Sequence, residues 1–279
     1  MLKLSAIQMC SAPNVKENLK SIELQLTSLV NLNRQDKHLV VLPECCLFFG
    51  GKETQQLKLA QQDNSKEYLT QSLAGLAKKY QLTLVAGTIP LLAKCGHKFF
   101  NSSYVFSPKG EILGSYDKIH LFDVAVDDNE KSYLESRYTQ AGKSISVIKT
   151  SEVNIGLSVC FDIRFPSLYQ ALRMKSADII TVPSAFTRVT GRVHWQALLQ
   201  ARAIENQVYI IAPAQEGIHE NGRETWGHSM IISPWGEVLC CLAQGEGIIT
   251  ADFKQLELDN IRKNMPTLTQ NRFEISLKL

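Results

Sequence analysis

The chain has 279 residues, 44% of them apolar and 20% charged, with a formal net charge of +3. That is an ordinary balance for a globular protein long enough to bury a core without disulfide staples. The charge bias is too small, and too evenly spread, to argue for a nucleic-acid or membrane-surface partner.

The first segment, Leu2–Met9, is short and alternating and reads as a strand rather than a signal peptide. No apolar stretch approaches the ~18–20 residues of a membrane span. A cytoplasmic protein is the expectation. Val15–Leu32 carries Leu19, Ile22, Leu26 and Leu29 at helical spacing. Leu39–Leu42 is a wholly apolar run of buried-strand type, followed by Pro43 and Glu44. Ser65–Tyr80 reads as a helix and Leu82–Ile89 as a strand. Phe99–Phe106, the turn Ser107-Pro108-Lys109-Gly110 and Glu111–Tyr116 form a hairpin with Lys118 at its far end. The polar stretch Lys118–Gly142 is expected to be a loop with little regular structure. Val153–Val159 is a strand that ends at Cys160. Helices over Ser167–Met174 and Gly191–Asn206 alternate with strands over Asp178–Val182 and Val208–Ala212. Trp226–Ser233 and Val238–Leu242 make a second hairpin around Pro234-Trp235-Gly236. Gly247–Asp252 closes the sheet, and a short helix and tail follow. Trp195, Trp226 and Trp235 are expected to pack rather than bind.

Strands apolar on both faces, alternating with helices, imply a helix-covered sheet, and the hairpins make it mixed. There is no repeat, low-complexity tract or linker, so one unit is expected. In such folds functional groups collect at strand ends. Glu44, Lys118 and Cys160 each fall at or just beyond one.

Seven cysteines, an odd number, argue against a disulfide framework. There is no Cys-x-x-Cys pair, and His194, His219 and His228 lack zinc-ligand spacing, so no metal is expected. Most of the cysteines read as small buried hydrophobes.

The three strand-end residues can form a nucleophilic site. A thiol attacks as thiolate, and a free Cys has a pKa near ~8.5, so it needs a base or a cation. Glu44 can be the base, its carboxyl raised by burial at the mouth of an apolar strand. Lys118 can favour the thiolate and stabilise a tetrahedral oxyanion, with the Phe161 backbone N–H as a second donor. Such a site would open an amide or nitrile, leaving a thioester for water. Residue type and spacing alone do not separate these three from the chain's other acids, lysines and cysteines.

Sequence blocks do. Leu42-Pro43-Glu44, Tyr116-Asp117-Lys118-Ile119-His120 and Val159-Cys160-Phe161-Asp162-Ile163-Arg164-Phe165-Pro166 resemble the three signature blocks of the nitrilase-like superfamily, in the family's order. Trp226-Gly227-His228-Ser229 with Pro234-Trp235-Gly236-Glu237 resembles a fourth. The resemblance runs from about Leu2 to Asp252. It implies an α-β-β-α sandwich with mixed sheets, a Glu44–Lys118–Cys160 mechanism, no cofactor, and a homodimer or larger homo-oligomer. It makes residues 1–255 the hydrolase domain, with the helix and tail over 256–279 part of the same unit. Glu135-Ser136…Ala141-Gly142 is similar to a loop in which relatives carry a second glutamate. That implies a role for Glu135 in holding Lys118 or positioning water; a solvated loop acid is the alternative.

Cys160-Phe161-Asp162 resembles the amidase branch rather than true nitrilases. Further similarity comes from Pro183-Ser184-Ala185-Phe186…Thr190-Gly191…His194-Trp195, Ala214-Gln215-Glu216-Gly217-Ile218-His219 and Gly222-Arg223-Glu224-Thr225-Trp226-Gly227-His228. These stretches are similar to the Nit-type branch, which implies a small 2-oxo-acid amide as substrate: deaminated glutathione first, 2-oxoglutaramate second. A carbamoyl substrate is a further alternative. Ser167 and Phe161 depart from the common Glu and Tyr and leave the substrate less fixed. Arginine suits a substrate carboxylate. Arg164, Arg188 and Thr190 are the substrate-binding candidates, against a structural ion pair for Arg164 and a plain surface loop for the other two. An inactive binding or assembly module is the reading from a different class, and the intact triad counts against it.

Overall fold

In the computed structural model, which describes residues 1–32, 36–127 and 132–274, the chain builds two facing sheets. Strand β1 (Leu2–Gln8) leads to helix α1 (Val15–Leu32), whose first turn is capped by Asn14 Oδ1, the acceptor for the N–H groups of Lys16 and Glu17. Strand β2 (Lys37–Val41) follows, then helices α2 (Glu53–Ala60) and α3 (Ser65–Tyr80). The segment expected as one strand over Leu82–Ile89 is two: β3 (Thr83–Val85) and β4 (Ile89–Leu92). Gly87 breaks it. Its φ is +45°, and a Cβ there would lie 1.9 Å from the Pro43 carbonyl oxygen. The chain can pass that close beneath Pro43 only with glycine.

Strands β5 (Phe99–Phe106) and β6 (Ile112–Asp117) form the expected hairpin. The stretch Lys118–Gly142 is more regular than its polarity implies. It contains β7 (Asp123–Ala125) paired antiparallel with β8 (Ser132–Leu134), then a 3-10 turn over Glu135–Arg137. Residues 128–131 within it, and 275–279 of the C-terminal tail, lie outside the described residues. An edge strand β9 (Val147–Lys149), which the sequence left unassigned, precedes β10 (Asn154–Leu157).

Beyond β10, Cys160–Arg164 form a second 3-10 turn, and α4 (Pro166–Met174) starts on its proline, where a missing N–H costs nothing. Strand β11 (Ile179–Thr181) leads to α5 (Arg188–Asn206), which begins three residues before the expected Gly191 because Thr187 caps it by accepting the Thr190 N–H. Strands β12 (Tyr209–Ala212), β13 (Glu216–Ile218), β14 (Glu224–Trp226) and β15 (Ser229–Ile232) follow. The expected strand Trp226–Ser233 is therefore split. Gly227 and His228, at φ +68° and +54°, turn the chain out of the small β13–β14 ribbon and into the main sheet. Strands β16 (Val238–Leu242) and β17 (Gly247–Asp252) and helices α6 (Gln255–Asn264) and α7 (Thr267–Gln270) complete the chain. Helix α6 docks through buried Leu258 and an Arg262–Asp178 ion pair of 2.8 Å.

One sheet runs β17-β1-β2-β3-β5-β4 with β6 on β5, and the other runs β16-β15-β12-β11-β10-β9; both mix parallel and antiparallel pairs. Alternation along β2 shows the layering. Val40 and Leu42 pack with Ile22, Leu26, Leu69 and Leu73 of α1 and α3, while Leu39 and Val41 face Ile155 and Leu157 of the second sheet. Trp195 and Leu199 of α5 close the far side. This is the expected α-β-β-α sandwich. Its parallel strands β2, β10 and β11 deliver Glu44, Cys160 and Ala185 just past their C-terminal ends. Trp235, expected to pack, is 63% exposed, and of the seven free cysteines only Cys46 and Cys160 are buried.

Candidate active site

Cys160 sits at φ +46°, in the left-handed region that a β-carbon disfavours. Such a residue costs about 1–3 kcal/mol and persists only where neighbours over-determine it. Here they do. The Cys160 N–H donates to Pro183 O (3.0 Å), and buried Asp162 accepts the Val159 N–H (2.8 Å). Arg202 Nε donates to Ile163 O (2.9 Å), pinning the turn to α5. Arg202 also pairs with Glu205 (3.1 Å). Asp162 ties this turn to the Lys118 segment as well, accepting from Tyr116 Oη (2.8 Å) and the His120 N–H (3.1 Å).

Lys118 lies one residue beyond β6. Its N–H donates to Asn101 O, and its own carbonyl accepts the Gly142 N–H. A Cβ at Gly142 would stand 2.1 Å from Asp117 O, so the loop's return demands glycine. The ammonium, 2% exposed, donates to Glu44 Oε1 (2.8 Å) and Glu135 Oε2 (2.9 Å). Glu44 is further fixed by the Ala185 N–H on Oε2 (2.9 Å) and the Asn101 amide on Oε1 (3.0 Å). Glu135 accepts the Phe122 N–H at 2.7 Å. One lysine thus lies between two carboxylates.

Burial alone would raise the Glu44 carboxyl, as its position after an apolar strand implied. The charge and hydrogen bond of Lys118, a hydrogen bond with the Cys160 thiol and the charge of Arg223 outweigh it, and the net shift is downward. Burial would lower Lys118, but Glu135 and Glu44 hold it well above its ordinary value. Burial and the Glu44 charge push the Cys160 thiol up against the opposing charge of Lys118. Together the three shifts favour an ionised Glu44–Lys118 pair beside a protonated Cys160 thiol.

Glu44, Lys118, Glu135, Cys160, Phe161 and Thr190 all line one cavity of about 150 Å³. Arg164 and Arg188 are not in its wall. Arg164 Nη1 lies 3.3 Å from His194 Nδ1, and its guanidinium lies over the rings of Phe161 and Phe186. Arg188 pairs with Glu224 at 3.0 Å. Among the wall residues that the sequence did not single out are Asn101 and Arg223. Asn101 bridges Glu44 and Glu135; its sequence signal is a lone amide inside the apolar run Phe99-Phe106. Arg223 enters from the β13–β14 ribbon. Among the described residues, no group of three or more His, Cys, Asp or Glu is placed to hold a metal ion, and no helix is long and apolar enough to cross a membrane.

The chain belongs to the carbon-nitrogen hydrolase family, whose model matches residues 3–263. A protein named deaminated glutathione amidase from Synechocystis sp. is 42% identical over 96% of this chain and 97% of its own. Omega-amidase NIT3 of Saccharomyces cerevisiae is 33% identical over 98% of this chain and 94% of its own. The crystal structure of yeast Nit3, a member of branch 10 of the nitrilase superfamily, superposes with a TM-score of 0.87 at 30% identity, covering 98% of this chain and 97% of that one.

Proposed function

We propose that this enzyme hydrolyses a small 2-oxo-acid amide, deaminated glutathione first among them, through a thioester on Cys160. The observation that carries the reading is the buried Glu44–Lys118 pair, 2.8 Å apart, hydrogen-bonded to a strained cysteine at the end of a cavity. Glu44 takes the thiol proton as sulfur attacks the amide carbon. The carbonyl oxygen becomes an oxyanion, which Lys118 and the Phe161 N–H stabilise. Protonated Glu44 returns its proton to the nitrogen, the C–N bond breaks, and the amine leaves. Glu44 then activates a water, which Glu135 positions, and the thioester opens to the carboxylic acid and free thiol.

Deaminated glutathione and 2-oxoglutaramate deliver the same 2-oxoglutaryl group to sulfur and differ only in the leaving amine: a dipeptide or ammonia. The higher identity to the deaminated glutathione amidase supports the first. The yeast omega-amidase keeps the second as the alternative. The test is 2-oxoglutarate formation from each substrate, with Cys160→Ala as blank. A preference for deaminated glutathione supports the lead reading, a preference for 2-oxoglutaramate replaces it with the alternative, and no turnover of either overturns both.

The protein acts in the cytoplasm on a small molecule, without a nucleic-acid or membrane partner. It assembles as a homodimer or larger homo-oligomer. Exposed Val189, Val193 and Ile204 on α5 and Met174 on α4 support that assembly, since such residues favour a covering surface. Light scattering at the monomer mass would overturn it.

A further inference from the structure

The reaction gives no task to Arg223, a charged side chain in the cavity wall. Arg223 Nη2 donates to Ala185 O at 3.1 Å, and the N–H of the same Ala185 donates to Glu44 Oε2 at 2.9 Å. One residue therefore sets the spacing between this guanidinium and the base. The guanidinium carbon lies 5.0 Å from the Phe49 ring centroid and 4.9 Å from that of Tyr133, so two aromatic rings hold it. Asn221 anchors the backbone. Its amide donates to Gly51 O (3.0 Å) and its Oδ1 accepts the Arg223 N–H (3.1 Å).

Against this fixation, Arg223 Nε is buried and has no hydrogen-bond partner among the described residues. A buried guanidinium N–H left unpaired is costly, and in a cavity wall it calls for an acceptor. Nε–H and the second N–H of Nη2 form the side-on fork that matches a carboxylate. Charge agrees. Glu44, Glu135 and Lys118 together carry one net negative charge, which would repel an anionic substrate; Arg223 cancels it. Lys52, the third cation of the wall beside Lys118 and Arg223, is exposed.

We propose that Arg223 is the carboxylate receptor of this cavity. It pairs side-on with the carboxylate on the acyl side of the substrate and sets the distance from that group to the carbon Cys160 attacks. The inference rests on the amidase reading in that it takes the acyl group to end in a carboxylate.

The experiment compares 2-oxoglutaramate with 4-oxopentanamide, in which a methyl group replaces the carboxylate, in wild type, Arg223→Gln and Arg223→Lys. Losing a charge-assisted pair lowers the ratio of kcat/KM for the acid over the neutral amide roughly 10- to 100-fold in Arg223→Gln, chiefly through KM. Arg223→Lys retains part of the ratio. A second readout needs no turnover: 2-oxoglutarate protects Cys160 from iodoacetamide in wild type and loses that effect in Arg223→Gln. This readout also covers a variant that folds but is inactive, and Arg223→Lys carries the same reading should Arg223→Gln fail to fold. Removing the Arg223 charge also lets the Glu44 carboxyl rise, so the acid limb on the neutral amide moves upward.

An unchanged ratio, with wild type still turning over 2-oxoglutaramate, overturns the role of Arg223 and leaves the amidase reading standing. An effect on deaminated glutathione alone places Arg223 on the leaving side and overturns the acyl-side assignment. Wild type that accepts only the neutral amide overturns the amidase reading itself, and this proposal with it.

Discussion

The two sides of the cavity are built differently. The reacting side comes from strand ends of both sheets. Its carboxylates and lysine are buried or nearly so, and Glu44 alone is held by Lys118, Asn101 and the Ala185 N–H. The recognition side comes from loops: Phe49 beyond β2, Tyr133 in the β7–β8 ribbon, and Asn221 and Arg223 between β13 and β14. It is held by ring faces, the two Asn221 hydrogen bonds and the Arg223–Ala185 hydrogen bond, with Arg223 Nε unpaired among the described residues. The rigid side fixes a reaction, while the loop side is free to choose a substrate.

The largest effects should come from the reacting side. Cys160→Ala and Glu44→Gln each lower kcat/KM by roughly four orders of magnitude or more on acid and neutral amides alike. Steady-state kinetics on both substrates check this; a loss confined to one substrate would erase the division between the two sides. Lys118→Met abolishes turnover as well and destabilises the fold by about 3–5 kcal/mol, because Glu44 and Glu135 lose their shared cation in a buried site. Adding Glu135→Gln restores part of that stability in urea unfolding but none of the activity.

The division also separates what could be read in the sequence from what could not. Glu44, Lys118 and Cys160 lie in contiguous blocks at strand ends, where local pattern and family resemblance coincide. Glu135 needed the resemblance. Arg223 lies inside residues 222–228, which resemble the family, but its task depends on Gly51, Phe49 and Tyr133, each far away in the chain, so no local spacing marks it. Arg164 was attractive for its nearness to Cys160 in sequence, but the 3-10 turn sets it against His194 instead. The same limit explains the fold. Long amphipathic α1 and α3 were legible, whereas the break at Gly87 depends on a Pro43 carbonyl more than forty positions earlier.

On the recognition side, effects are smaller and selective. Tyr133→Ala removes one ring from the guanidinium, and a cation–π contact of about 0.5–2 kcal/mol corresponds to roughly a 2- to 30-fold rise in KM for the carboxylated substrate. An equal rise for 4-oxopentanamide would contradict that assignment.

The smallest expected effect is in pH. Glu44 must be ionised to act as base, and its carboxyl lies below the ordinary value of 4.5. Activity should hold as pH falls to that value and decline only below it, as Glu44 protonates. The stability contributed by the Glu44–Lys118 pair follows the same sign: present above the unfolded value, lost as pH falls through the lowered folded one. A pH–rate profile with an acid limb near neutrality would contradict this.

The most direct test of the central claim is mass spectrometry of the enzyme acid-quenched during turnover. The account predicts that deaminated glutathione and 2-oxoglutaramate leave the same 2-oxoglutaryl group on the peptide bearing Cys160, and none on Cys160→Ala. Undiminished turnover by Cys160→Ala, or an adduct on another residue, would contradict it.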